Sequence, residues 1–181
     1  LILSNNHVLA NATTGRDNRA RIGDPILQPG AVDGGTLQHD RIAWLYRYVP
    51  LKDNDYNVVD AAVALPFSPN LVVPFILGIG SVYGTVLPKV AMLVKKSGRT
   101  TGVTHGIIIA TDVIIDIDYG NGRTLTFKDQ IITTNISAGG DSGSVVLNES
   151  NWAVGLLFAG SLLITVVNPI DEVLKSLCIH F

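Results

Sequence analysis

Gly139-Gly140-Asp141-Ser142-Gly143-Ser144 is the stretch on which the reading of this chain turns. Glycines on both sides of a serine allow a tight turn in which consecutive backbone N–H groups converge beside the hydroxyl. An acyl-transfer transition state needs that arrangement for its developing oxyanion. Gly, Asp and Ser also cluster in plain loops, so the run needs support from the rest of the chain.

A serine nucleophile requires a base within hydrogen-bond reach and a carboxylate that orients the base. The chain has four histidines, His7, His39, His105 and His180. His7 stands out because it lies in the strand-like run Leu1-Ile2-Leu3-Ser4-Asn5-Asn6-His7-Val8-Leu9, just before a polar segment, and a strand end places a side chain at a rim. His39 falls in the polar turn Gln38-His39-Asp40-Arg41, and His105 reads more readily as structural than as a cleft residue. For the carboxylate, Asn57-Val58-Val59-Asp60-Ala61-Ala62-Val63-Ala64-Leu65 sets one acid inside an apolar run. Unpaired there, a charge would cost several kcal/mol or so. Asp60 therefore needs a partner, and His7 can supply one. Asp53 and Asp55 are the rivals, but both lie in the turn-like Lys52-Asp53-Asn54-Asp55.

The order His7, Asp60, Ser142 resembles that of the chymotrypsin-like serine proteases. Leu3-Ser4-Asn5-Asn6-His7-Val8 is similar to the histidine segment of bacterial high-temperature-requirement proteases, Asp60-Ala61-Ala62-Val63-Ala64-Leu65 to the aspartate segment, and Gly140-Asp141-Ser142-Gly143 to the serine segment. Lys96-Ser97-Gly98-Arg99-Thr100-Thr101-Gly102 points toward bacterial trypsin-like peptidases. The resemblance implies an all-β, two-barrel fold, with 1–66 as the half that carries His7 and Asp60, 67–89 as linker and 90–181 as the half that carries Ser142. It implies a serine endopeptidase in which Ser142 attacks, His7 moves the proton, Asp60 orients the ring, and the N–H groups of Gly140 and Ser142 form the oxyanion hole. Ile136, six residues before Ser142, would floor the primary pocket, with Phe158, Ala159 and Gly160 as the strand that receives substrate. An apolar floor implies a preference for small to medium apolar residues on the acyl side of the cut bond. In zymogens of the family the acid matching Asp141 pairs with a freed N-terminus; what satisfies Asp141 here is left open. Only six residues precede His7, where family members carry tens, so the first barrel is expected to lack its N-terminal strands. Two other functions fit: a peptide-binding scaffold without turnover, and a module that cleaves its own precursor, whose N-terminal segment would then be a partner.

Composition agrees with a globular enzyme. The 181 residues suffice for a real core, and 47% apolar with 15% charged residues excludes a disordered chain. A net charge of −2 without a basic stripe argues against nucleic acid as a partner. The single cysteine, Cys178, forms no internal disulfide and reads as a packing residue, which fits a cytoplasmic bacterial protein. The uncharged stretch 152–170 is broken by Gly155, Gly160, Asn168 and Pro169, so it reads as strand, turn and strand rather than a membrane span. No cofactor or metal is expected, because no Cys/His cluster has ligand spacing.

Strands are expected over 1–3, 25–28, 41–49, 58–65, 90–95, 106–119, 123–134, 144–147, 153–158 and 162–167. Val113, Ile115, Ile117 and Tyr119 alternate with Asp112, Ile114, Asp116 and Asp118, and Gly120-Asn121-Gly122 supplies the turn of a hairpin. The same stretch mimics a calcium loop, but Asn121 and Phe127 stand where a glycine and a glutamate are needed. Pro169, Asp171 and Glu172 before Val173, Leu174 and Leu177 predict one short helix over 168–177.

Overall fold

Ten antiparallel strands, separated by the glycine- and proline-rich turns of the sequence, make two unequal lobes in the computed structural model, which describes residues 1–180. The first lobe holds β1 (Ile2–Ser4), the single-turn helix α1 (Asn6–Leu9), β2 (Pro25–Leu27), β3 (Arg41–Tyr48) and β4 (Ala62–Pro66). Its strands form an open sheet in the order β1-β4-β3-β2, with Leu3 opposite Val63 and Leu45 opposite Ala64. Neither edge strand, β1 nor β2, has a further strand beside it among the described residues. Between β4 and the next strand the chain is irregular apart from a 3-10 turn at Pro69–Leu71, an antiparallel bridge from Ile76 to Gly80 and a bridge from Thr85 to Ala153.

The second lobe holds β5 (Leu93–Gly98), β6 (Gly102–Asp118), β7 (Thr124–Thr134), β8 (Val145–Asn148), β9 (Ala153–Gly160), β10 (Ile164–Pro169) and helix α2 (Ile170–Leu177). The strands close into a barrel in the order β10-β7-β6-β5-β8-β9. Closure is possible because alternate residues point inward, where Val94, Ile108, Ile131, Val146, Val154 and Val167 pack together. Burial of each such side chain contributes about 1.5–3 kcal/mol. A second cluster joins the lobes: Val59, Ala61 and Val63 meet Leu147, Leu156, Ile170, Val173 and Leu177. Helix α2 thus fastens the segment around Asp60 to the barrel.

Three expectations change. His7 lies in α1 rather than at a strand end: Val8 N–H and Leu9 N–H both reach the Asn5 carbonyl, and a helix of four residues is too short to show periodicity in sequence. Asp60 precedes β4 instead of lying within a strand, because its backbone N–H goes to Asn168 Oδ1 at 2.9 Å rather than to a strand partner. Cys178 is exposed, not packed; it ends α2 in the left-handed region at φ 51°. The hairpin of β6 and β7 is as read from the sequence, with φ of 79°, 54° and 74° at Gly120, Asn121 and Gly122.

Candidate active site

The first lobe fixes the histidine through its two preceding asparagines. Asn6, fully buried, donates to the carbonyls of Val49 (2.7 Å) and Thr13 (3.1 Å) and accepts from Thr13 N–H (2.9 Å). Asn5 donates to the Asp60 carbonyl at 2.8 Å. These bonds tie α1 to the segments beneath it and aim His7, about a quarter exposed, across the cleft. Its Nδ1 lies 2.6 Å from Asp60 Oδ2, and its backbone N–H donates to Asp60 Oδ1 at 3.1 Å. Asp60 has no solvent exposure, so these contacts carry the compensation its charge requires. Behind it, Asn168 donates to Gln130 Oε1 at 2.7 Å and Gln130 to the Val58 carbonyl at 2.8 Å, which makes a buried polar frame. Asp53 and Asp55 stand apart: the first pairs with Arg123 and the second with Lys52 at the surface.

The second lobe shapes the serine turn around Asp141. Residues Ala138 to Asp141 form a turn closed by Asp141 N–H to the Ala138 carbonyl at 3.1 Å, with Gly140 at φ 97°. A positive φ at that place favours glycine, and a Cβ on Gly140 would also fall 2.5 Å from Thr100 Oγ1. The Asp141 carboxylate accepts from Thr100 N–H (2.8 Å), Thr101 N–H (3.1 Å), Thr101 Oγ1 (2.6 Å) and Ala138 N–H (3.0 Å). Lys96 Nζ, also fully buried, lies 3.4 Å from Asp141 Oδ2 and donates to Thr101 Oγ1 and to the Gly102 carbonyl. Burial alone would raise the Asp141 pKa, but the hydrogen bonds from Thr101, Ala138 and Thr100 outweigh it and hold the carboxyl at about 2. The segment 96–102 thus supplies most of what satisfies Asp141.

This framework leaves the groups beside Ser142 free. Among the described residues the N–H groups of Gly140 and Ser142 have no acceptor, whereas Gly143 N–H goes to the Leu157 carbonyl at 2.9 Å. A Cβ on Gly143 would run into Ser4 Oγ, so glycine allows the serine turn to meet the strand that leads to His7. Ser142 Oγ lies 3.5 Å from the Phe158 carbonyl and has no hydrogen bond to His7 among the described residues. Such bonds are often long before substrate binds. A cavity of about 660 Å³ opens beside His7, walled by Ile115, Ile117, Tyr119, Phe158, Ala159 and Gly160.

Ile136 does not reach this cavity. It is 3% exposed and packs inside the barrel with Val94, Ile108 and Leu157, where an apolar side chain is best placed. Ser137, one residue on, faces the cleft strand instead: its Oγ bonds Thr165 Oγ1 at 2.7 Å and stands 3.0 Å from where a Cβ on Gly160 would be. His105 lies outside the cleft, exposed beside Glu149 at 3.6 Å. Sequence reading also missed Tyr119, whose hydroxyl donates to Asp60 Oδ2 at 2.6 Å. Only its place at the end of an apolar alternation marked it.

No protein-family model matches this sequence, and no curated protein does. Solved structures do. Cellulomonas bogoriensis chymotrypsin is 25% identical over 79% of this chain and 76% of its own, with a TM-score of 0.59. Nocardiopsis protease is 20% identical over 97% and 81%, with a TM-score of 0.64, and a glutamic-acid-specific serine protease is 21% identical over 98% and 84%, with a TM-score of 0.63. These are serine proteases, and the fold of this chain is the chymotrypsin-like one.

Proposed function

We propose that the chain is a serine endopeptidase acting through an acyl-enzyme, with Ser142, His7 and Asp60 as its triad. The observation that carries this reading is the His7 Nδ1 to Asp60 Oδ2 contact of 2.6 Å, buried at one end and open to a cavity at the other. A carboxylate on Nδ1 leaves Nε2 as the free base, so His7 takes the Ser142 proton and returns it to the leaving amine. Asp60 holds the ring in that tautomer and stabilises the imidazolium once it forms. The unpaired N–H groups of Gly140 and Ser142 receive the oxyanion, an interaction whose loss typically costs a hundredfold to a thousandfold in rate. Because the Asp141 network fixes their direction before substrate arrives, little reorganisation remains for the transition state.

Substrate would lie along Phe158, Ala159 and Gly160 as an added strand, with main-chain hydrogen bonds for affinity. Ser137 and Thr165 close the gap near Gly160, and neither carries a charge that could pair a Lys or Arg. Small to medium apolar residues on the acyl side follow, since burying an unpaired cation is costly. A second reading, a peptide binder without turnover, draws on the open sheet of the first lobe, whose edge strands β1 and β2 have no further strand beside them among the described residues. Cleavage of a peptide library by the chain and by Ser142→Ala separates the two. Hydrolysis after apolar residues, absent in Ser142→Ala, is expected; binding without any cleavage favours the second reading, and dominant cleavage after Lys or Arg overturns the specificity.

A further inference from the structure

We propose that Tyr119 is a positioning residue for the His7–Asp60 pair, delivering a phenol O–H from the tip of the β6–β7 hairpin to the carboxylate that orients the histidine. The assignment rests on the triad reading above and adds to it a residue from the opposite lobe. Asp60 Oδ2 accepts both His7 Nδ1 and Tyr119 Oη, each at 2.6 Å, while Oδ1 accepts His7 N–H. Among the described residues no other side chain donates to this carboxylate. With Tyr119 removed, His7 alone would hold the group that is meant to hold His7, and the pair could turn together.

The hairpin is built to keep the phenol in place. Arg123, across the turn, donates to the Ala12 carbonyl and pairs with Asp53, both at 2.7 Å and both on the first lobe. Tyr119 N–H closes the turn onto the Arg123 carbonyl at 2.8 Å. The Tyr119 ring stacks on buried Phe127 (centroids 6.1 Å apart, 11° between planes) and meets His7 edge-on (6.0 Å, 88°). Both its rotation and its distance from Asp60 are therefore fixed from two sides. Burial and the Asp60 charge push the phenol pKa far up, so the hydroxyl remains a donor throughout the working range.

Tyr119→Phe keeps the ring, the stack and the cavity wall and deletes only the O–H. The test compares wild type and Tyr119→Phe by the rate of Ser142 modification with a fluorophosphonate from acid to neutral pH, together with kcat and KM on one peptide substrate. A hydrogen bond to a charged group is lost, so the labelling rate and kcat should fall roughly tenfold to a hundredfold with KM nearly unchanged. The acidic limb of the rate profile should move to higher pH, because the carboxylate no longer shares its charge with the phenol. The other charged groups around His7, namely Asp116, Asp118 and Arg19 along the cavity and Arg123 beyond the Tyr119 ring, are the same in both proteins. A merely structural Tyr119 would lower thermal stability and leave the limb in place. If Tyr119→Phe does not fold, Arg123→Gln, which releases the hairpin tip, carries the test: a smaller loss in the same direction is expected, and a wild-type rate overturns the proposal. Wild type that labels normally while Tyr119→Phe labels equally fast, with the same profile, overturns Tyr119 alone. Wild type that does not label overturns the triad, and this assignment with it.

Discussion

Asp60 and Asp141 are buried carboxylates on either side of one cleft, and the chain compensates them in opposite ways. Asp141 has the Lys96 side chain 3.4 Å away and four hydrogen bonds from Thr100, Thr101 and Ala138. Among the described residues no Lys or Arg pairs with Asp60; its donors are the His7 ring, the His7 N–H and the Tyr119 phenol. A carboxylate already neutralised by an ammonium has little field left for a neighbour, whereas one held by an imidazole and a phenol attracts the proton that the imidazole picks up. The same residue type thus serves as a rigid anchor for the serine turn at one place and as the counter-charge of a proton transfer at the other.

The largest effects expected fall on the three triad residues rather than on the carboxylate anchors around them. Ser142→Ala and His7→Ala should each reduce peptide hydrolysis by about 10⁴-fold or more, and the double variant should be no worse than either, since members of a triad act as a unit. Steady-state rates of the three proteins decide it; additive losses would mean that the two residues act independently. Asp60→Asn should cost about 10⁴ in kcat by favouring the wrong tautomer, with the melting temperature little changed. Equal loss of rate and stability would make Asp60 an anchor like Asp141 and erase the contrast.

Effects on the Asp141 side should appear first as stability. Lys96→Met leaves a buried carboxylate without its cation and should destabilise by about 3–5 kcal/mol in urea unfolding. Adding Asp141→Asn to it should recover part of that loss, a coupling that a double-mutant cycle reads directly. Acid should act in the same place. The folded pKa of Asp141 is lowered from 3.8 to about 2, so its contribution is fully present above pH 4 or so and is lost as pH falls through about 2. Wild type should therefore lose about 2 kcal/mol more than Asp141→Asn over that window. Asp53→Asn and Asp55→Asn, at exposed pairs, should change activity by no more than about twofold.

How much of this could be read in sequence differs between the two carboxylates. Asp60 was legible because an acid alone in an apolar run demands a partner, and few histidines were on offer. The strands of the barrel were legible from alternation, the β6–β7 hairpin from its turn residues, and helix α2 from its acidic start and apolar spacing. The means by which Asp141 is satisfied was not legible. Lys96 and Asp141 are 45 positions apart, and nothing local says that an ammonium in a polar segment turns inward. Tyr119 was hidden for the same reason, since a tyrosine ending an apolar face looks like packing until the hairpin meets the other lobe. Ile136 shows the limit of counting from a motif: two residues past the end of β7, one position separates barrel interior from cleft, and Ser137 took the cleft side.

Reaction with a fluorophosphonate, followed by intact mass and peptide mapping, bears at once on whether His7, Asp60 and Ser142 form one machine. A single adduct on Ser142 is expected in wild type, strongly slowed in His7→Ala and Asp60→Asn but retained in Asp53→Asn. A wild-type chain that gains no adduct, or that is modified at Ser142 equally fast without His7, would contradict it.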